Sequence, residues 1–340
     1  MHLSPLRSTL LACAILLGTT AALASDAGLR RLTVSNTPGE GGPIPVALYY
    51  PTEARAARMA MGPFTAHVAV QGPVDVKVKG LIVISHGLGG TEVGHTSIAE
   101  ALARHGYLVA ALRHPGDNYL DRSLLQKSPS RYFAERPRDV SRVIDAVLQD
   151  PDWKDRIASD ARGPRVGAVG HSAGGYTVLA LAGAQPDPAR IRAHCREHGK
   201  DDPIMCSIGA REAPAGAEQR QAASSLRDPR VRAVAALSPL AAVFPADSLA
   251  GIRVPTLIYV AERDRFLVPR FHGQWAAANV PGAELRNVPN AWHFAFMDAP
   301  GMAIPSEDGD LAADPPGFDR AAFLTRLGVE LCDFFDEALR

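Results

Sequence analysis

The stretch Val166-Gly167-Ala168-Val169-Gly170-His171-Ser172-Ala173-Gly174-Gly175 decides how this chain is read. Val166 to Val169 is a short apolar β-run. Ala173 to Ala184 is a run of small and apolar residues with helical character. Between them Gly170-His171-Ser172-Ala173-Gly174 matches G-x-S-x-G, in the strand–turn–helix context that gives the motif its meaning. The chain must reverse within about one residue, leaving the serine in a strained conformation. Glycines on either side let neighbouring backbone come close. Ser172 then projects above a sheet at a helix N-terminus, where developing negative charge is stabilised. The expectation is a nucleophilic serine.

Outward from this turn, β-rich runs alternate with helical patterns. Pro45–Tyr50, Leu81–Ser85 (LIVIS), Tyr107–Leu112, Val231–Leu237, Thr256–Val260 and Glu284–Val288 read as strands. Thr96–His105, Arg138–Leu148, Phe271–Asn279 and Phe318–Leu339 read as helices. Val140, Val143, Ile144 and Val147 share one helical face. Such alternation predicts an α/β fold, a mostly parallel central sheet covered by helices on both faces. Two stretches interrupt it, 53–78 and 186–228. The second is polar and longer than an ordinary connection, and is expected to form a small lid within a single domain spanning 25–340.

A serine nucleophile needs a base, and the base needs an orienting acid; here they should follow in the order acid, then histidine. Of the eleven histidines, His272 and His293 lie beyond the later strands. His272 falls within a helical pattern and reads as a surface or packing residue. His293, in the loop Asn290-Ala291-Trp292-His293-Phe294, is where a base should be presented. Asp264 follows the Thr256–Val260 strand and is the expected acid, with Glu262 its near rival. Two backbone N–H groups should form an oxyanion hole. One belongs to Ala173, the other to Leu88 in His86-Gly87-Leu88-Gly89-Gly90. His86 and His95 are expected to support that loop. His114 and Asp117 after the Tyr107–Leu112 strand, and Trp292 and Phe294 beside the base, are candidate pocket residues, with packing or turn roles as the alternative.

Composition sets limits. Hydrophobic residues make up 46% and charged residues 21% of the 340, which is that of an ordinary globular chain. Thirty-six basic residues balance 36 acidic ones, so no net charge draws the chain to nucleic acid. Arg7, the apolar run Thr9–Gly18 and Ala22-Leu23-Ala24 resemble a cleavable export signal over residues 1–24, too short to span a membrane. Export to a periplasmic or extracellular compartment permits disulfides. Cys195 and Cys206 are the expected pair. The rival is a metal site built from His194, Cys195, His198 and Cys206, against which stands the lack of tight CxxC spacing. Cys332 reads as a buried thiol. No metal or organic cofactor is implied.

Several pieces together resemble one family. They are Leu48-Tyr49-Tyr50-Pro51-Thr52, Ser85-His86-Gly87-Leu88-Gly89, His114-Pro115-Gly116-Asp117-Asn118, Arg136-Pro137-Arg138-Asp139-Val140 and Gly170-His171-Ser172-Ala173-Gly174-Gly175. The chain resembles the α/β-hydrolase superfamily over nearly its whole mature length. Within it, it is similar to the bacterial "predicted dienelactone hydrolase" group and to platelet-activating-factor acetylhydrolase-like esterases. The resemblance implies an α/β-hydrolase fold and a serine hydrolase of small carboxylic esters. True dienelactone hydrolases use cysteine where Ser172 stands. The acetylhydrolases carry their acid after an earlier strand, where this chain has Leu237-Ser238-Pro239 and no carboxylate before Asp247. The charged 186–228 insertion points to short acyl chains. A phospholipase A2-like acetylhydrolase, a peptidase or acyltransferase, and a non-catalytic binding protein on the same scaffold remain as alternatives.

Overall fold

A computed structural model describes residues 26–35, 41–124, 129–212 and 225–340. The export signal and residues 213–224 of the polar insertion lie outside the described residues. Ten strands form one sheet: β1 (Asp26–Val34), β2 (Ile44–Thr52), β3 (Ala57–Met61), β4 (Phe64–Val70), β5 (Leu81–Ser85), β6 (Leu108–Leu112), β7 (Val166–His171), β8 (Val231–Leu237), β9 (Thr256–Ala261) and β10 (Glu284–Val288). Their order is β10-β9-β8-β7-β5-β6-β2-β1-β4-β3. The six from β6 to β10 run parallel; β2 joins β6 antiparallel, and β1 and β3 add further antiparallel pairings.

The central strands are buried along their whole length, as parallel strands covered on both faces must be. On β2, Val46, Leu48 and Tyr50 face one core, with α2 (Pro129–Gln149) and α3 (Ala173–Ala182). Ala47 and Tyr49 face the other, with α1 (Thr96–Arg104) and the closing helix Arg320–Ala338. Helix α3 is apolar on every side and every residue in it is buried, so it is a core element. Val140, Val143, Ile144 and Val147 of α2 all lie in the first core, as the helical period requires.

Three regions differ from expectation. The 53–78 stretch is not an interruption but the β3–β4 hairpin. Phe64, Ala66 and Val68 point inward while Thr65 and His67 point out, a two-residue alternation. The 186–228 insertion begins with two helices, α4 (Pro188–His198) and α5 (Pro203–Glu212). Residues 304–311 carry a small hairpin, Pro305–Ser306 with Gly309–Asp310.

The chain steps from β5 outward to β6, then returns to β7 on the other side of β5. That reversal opens a crevice at the carboxyl ends of β5 and β7, where ligands of open α/β sheets bind. The loops carrying His86–Gly90 and Ser172 both leave the sheet there.

Candidate active site

Ser172 sits between β7 and α3 with φ 59° and ψ −116°, a left-handed conformation costing about 1–3 kcal/mol. Two glycines make the turn sterically feasible. A Cβ on Gly170 would lie 2.0 Å from the Gly174 carbonyl oxygen, and one on Gly174 would lie 1.9 Å from that of Ser85. The Ser172 N–H donates to Leu237 O at 2.9 Å, and Leu240 N–H donates back to Ser172 O at 3.0 Å, so β8 clamps the strained residue.

His293 opens a short 3-10 turn, His293–Phe296, beyond β10. Its Nδ1 donates to Asp264 Oδ2 at 2.7 Å, and both side chains are 1% exposed. The other oxygen of Asp264 accepts the Phe266 and Leu267 N–H groups at 2.9 and 2.8 Å. The carboxylate is thereby locked with one oxygen on the imidazole. Phe266 stacks on the His293 ring at 4.8 Å and 14°. His171, the residue before Ser172, donates from Nε2 to the His293 carbonyl at 3.0 Å. Burial, with the neighbouring His293, holds His171 well below its ordinary pKa, so it serves as a neutral donor. Glu262 is exposed and accepts the Asn290 N–H at 2.8 Å, away from His293. Asp247 is exposed on a short helix, Ala246–Leu249.

The loop after β5 is a tight turn. Gly90 N–H donates to Gly87 O at 3.2 Å, and Gly89 N–H donates to Asp117 Oδ1 at 2.8 Å. A Cβ on Gly87 would lie 3.2 Å from that of Ser172, so this backbone lies against Ser172. The Leu88 N–H makes no hydrogen bond among the described residues. Beneath the loop Arg136, 0% exposed, pairs with Asp117 and donates to the His86 carbonyl, to Ser85 Oγ at 3.2 Å and to Thr177 Oγ1 at 3.1 Å. His114 bonds Ser85 Oγ at 2.9 Å and Asp139 at 3.0 Å. His86 donates from Nδ1 to Gly87 O at 2.6 Å and accepts the His114 N–H at Nε2, which defines its neutral tautomer. Burial, then the Arg136 charge, pushes His86 down to about 3.

Ser172 and His293 line one cavity of about 650 Å³, with Leu88 beside them. Its apolar roof comes from Met61 and Phe64 of the β3–β4 hairpin and from Ile304 and Leu311 of the 304–311 hairpin. The segment leading into the second hairpin is tied to the first, since Gly301 N–H donates to Pro63 O at 2.6 Å.

Phe294 lines the cavity, but Trp292 lies outside the lining, its ring under the Arg265 guanidinium at 5.1 Å. His114 and Asp117, candidate pocket residues, are both fully buried and do not line the cavity, because each has an internal partner: Arg136 for Asp117, and Asp139 with Ser85 Oγ for His114. Arg136 carries no role in the sequence reading, although it stands in one of the recurrent motifs.

None of the described residues of 186–228 lines the cavity. Helix α4 packs beside the segment that follows β8 and the helix Gly273–Asn279. Asp187 N–H donates to Val243 O at 2.9 Å, and Arg190 lies over the Trp275 ring at 5.0 Å. Cys195 and Cys206 form a disulfide joining α4 to α5, and Cys332 is a buried free thiol. His272 is a buried packing residue rather than a surface one. His194, Asp202 and His272 bring their polar atoms within 4.8 Å of one another. However, His272 Nδ1 accepts the Ala241 and Ala242 N–H groups at 3.2 and 3.4 Å, so its Nε2 carries the proton donated to Asp202 and has no lone pair for a metal. The trio pins α4 and α5 to the segment around His272.

No helix among the described residues is long and apolar enough to cross a membrane. Two cutinases of Thermobifida alba, est1 and est2, are each 29% identical to this chain over 155 residues. That stretch is 46% of this chain and 46% and 45% of theirs, so the match covers under half of the relatives' length. A ferulic acid esterase of Streptomyces cinnamoneus superposes with a TM-score of 0.61 at 22% identity, over 95% of this chain and 92% of that one. A dienelactone hydrolase of Anabaena variabilis does so with 0.51 at 14% identity, over 93% and 100%. Both share the fold. The model of the alpha/beta hydrolase family matches residues 81–304, from β5 to the edge of the cavity roof, and the chain belongs to that family.

Proposed function

We propose that this protein is an exported serine hydrolase of small carboxylic esters. The observation that carries the reading is the 2.7 Å bond from Asp264 to His293, whose imidazole lines the same cavity as Ser172. Ser172 Oγ attacks the ester carbonyl carbon while His293 Nε2 takes its proton. Asp264 keeps the imidazole in the required tautomer and stabilises the imidazolium. The oxyanion is held by the Ala173 and Leu88 N–H groups, each worth about 3 kcal/mol of barrier. His293 returns the proton to the leaving alkoxide. Water, deprotonated by the same imidazole, then cleaves the acyl-enzyme and restores Ser172.

The cavity volume falls in the range of small-molecule sites, and its apolar roof suits an apolar acyl or aromatic group. The two hairpins that close over it support short acyl chains. Relatives described as cutinases and a ferulic acid esterase support an ester as the bond. Export is supported by the apolar Thr9–Gly18 segment with its Ala22-Leu23-Ala24 site and by the Cys195–Cys206 disulfide.

A p-nitrophenyl ester series from acetate to palmitate tests this. Acetate and butyrate should turn over fastest, with no rise when palmitate is emulsified. Faster turnover of palmitate contradicts the short-chain reading, and no turnover of any ester contradicts the hydrolase.

A further inference from the structure

Two parts of the site come from segments distant in sequence. The catalytic dyad sits on the loops 262–267 and 290–296, while much of the roof is the 304–311 hairpin. One residue ties all three. Arg265, next to the acid, places Nε 2.7 Å from Asp308 Oδ1 and donates from Nη2 to the Asp308 carbonyl at 3.0 Å. Its guanidinium also covers the Trp292 ring, next to the base. Among the described residues, no other side-chain hydrogen bond or ion pair joins 304–311 to 262–267.

The two ends of this tie differ in burial. The Asp308 side chain is 3% exposed and that of Arg265 is 60% exposed. The carboxylate is therefore taken from water into the hairpin, and without Arg265 it would be left there without its cation. The hairpin is internally defined: Ser306 Oγ donates to Gly309 O at 2.9 Å and Ile304 N–H to Asp310 Oδ1 at 2.9 Å. It therefore moves as a unit, carrying Ile304, Ser306 and Glu307 of the cavity wall with it.

We propose that Arg265 and Asp308 are positioning residues that set which esters the cavity accepts, by holding the 304–311 roof in register with the loop bearing the catalytic acid. The proposal rests on the ester-hydrolase reading above. A large acyl group depends on the roof more than acetate does. Loosening the tie should therefore penalise large esters preferentially, and mainly in KM. Misplacement of about 1 Å far from the chemistry can cost up to roughly a hundredfold.

The test is the ratio of kcat/KM for p-nitrophenyl hexanoate to that for the acetate. Arg265→Ala and Asp308→Asn should each change the ratio by about tenfold, through KM. Arg265→Lys, which keeps a cation, should restore part of it. Arg263→Ala, on the same loop but bonded to Asn290, should leave it unchanged. Amide exchange of residues 304–311 is read in the same proteins and should accelerate in the first two variants. Ratios within about twofold of the wild type overturn the proposal, because a merely stabilising ion pair would lower Tm without altering selectivity. If the wild type cleaves neither ester, the hydrolase reading fails. The tie is then judged by exchange alone, and unchanged exchange at 304–311 overturns it.

Discussion

Replacing Asp264 with asparagine separates the chemistry of the site from its architecture. Asp264 uses Oδ1 for the Phe266 and Leu267 N–H groups, at 2.9 and 2.8 Å, and Oδ2 for the His293 imidazole at 2.7 Å. An asparagine side chain has one oxygen. Two backbone donors compete with one imidazole for it, so the amide oxygen should stay at the Oδ1 position and the NH2 should face His293 Nδ1. An NH2 can only donate. Nδ1 must then accept, the proton moves to Nε2, and Nε2 can no longer take the proton of Ser172. The expected loss is about 10⁴-fold in kcat, or ~5 kcal/mol, as for the same change in other Ser–His–Asp triads. Stability should change little, because both backbone hydrogen bonds survive. A shift in Tm of no more than about 1–2 °C corresponds to ~1 kcal/mol or less in a chain of this size. The assay is steady-state hydrolysis of p-nitrophenyl acetate, with thermal unfolding of the same preparation. Glu262→Gln and Asp247→Asn serve as references, since neither carboxylate touches His293. A loss smaller than about tenfold, with Asp264→Asn folded, would refute the reasoning. So would a larger loss in Asp247→Asn, which would move the acid to the acetylhydrolase position.

Other outcomes follow from the same structure. Cys195→Ser with Cys206→Ser should lower stability by ~2–3 kcal/mol, since the bridge closes a short loop, yet leave acetate turnover nearly intact because α4 and α5 do not line the cavity; thermal unfolding beside kinetics checks both. In the non-reduced digest Cys332 should stay unalkylated in folded protein at about pH 8, because burial pushes its thiol up to about 12. Gly174→Ala should abolish activity and lower Tm or yield, since its Cβ has no room against the Ser85 carbonyl; a soluble, active Gly174→Ala would contradict the elbow geometry. Arg136→Met should cost about 3–5 kcal/mol, leaving the buried Asp117 carboxylate without its partner, and denaturant unfolding with a loss under ~1 kcal/mol would speak against this network.

Much of this architecture was legible in the chain because local pattern and burial coincide. Leu81–Ser85 and Val231–Leu237 are unbroken apolar runs, and as central parallel strands they are buried on both faces. The G-x-S-x-G turn was readable because the motif sits between an apolar strand run and a small-residue helical run, and Gly170 answers to a contact only four residues on, at Gly174. His293 and Asp264 could be placed by chain order relative to strands. What escaped depends on contacts distant in sequence. Nothing in the polar text of 186–228 says that Asp202 bonds His272, 70 residues on, so its side of the sheet could not be read. His114 and Asp117 looked like pocket residues because polar groups in a loop are ordinarily solvated. Arg136 and Asp139, both from α2, provide the buried partners of Asp117 and His114 that sequence does not display. The roof hairpin at 304–311 has only two-residue strands, too short for a periodic signal. The β3–β4 hairpin did carry one, in the alternation of Phe64, Ala66 and Val68.

The central claim is that Ser172 is an activated nucleophile. A fluorophosphonate, which phosphorylates serine only where a base and an oxyanion site assist, tests it in one step. The intact wild-type protein should gain one adduct, mapped by mass spectrometry to the peptide carrying Gly170-His171-Ser172-Ala173-Gly174. Ser172→Ala should gain none and should lose at least about 10⁴-fold in ester turnover while unfolding at a similar temperature. A wild-type protein that is folded but stays unlabelled, or a Ser172→Ala variant that labels and hydrolyses as before, would contradict the account.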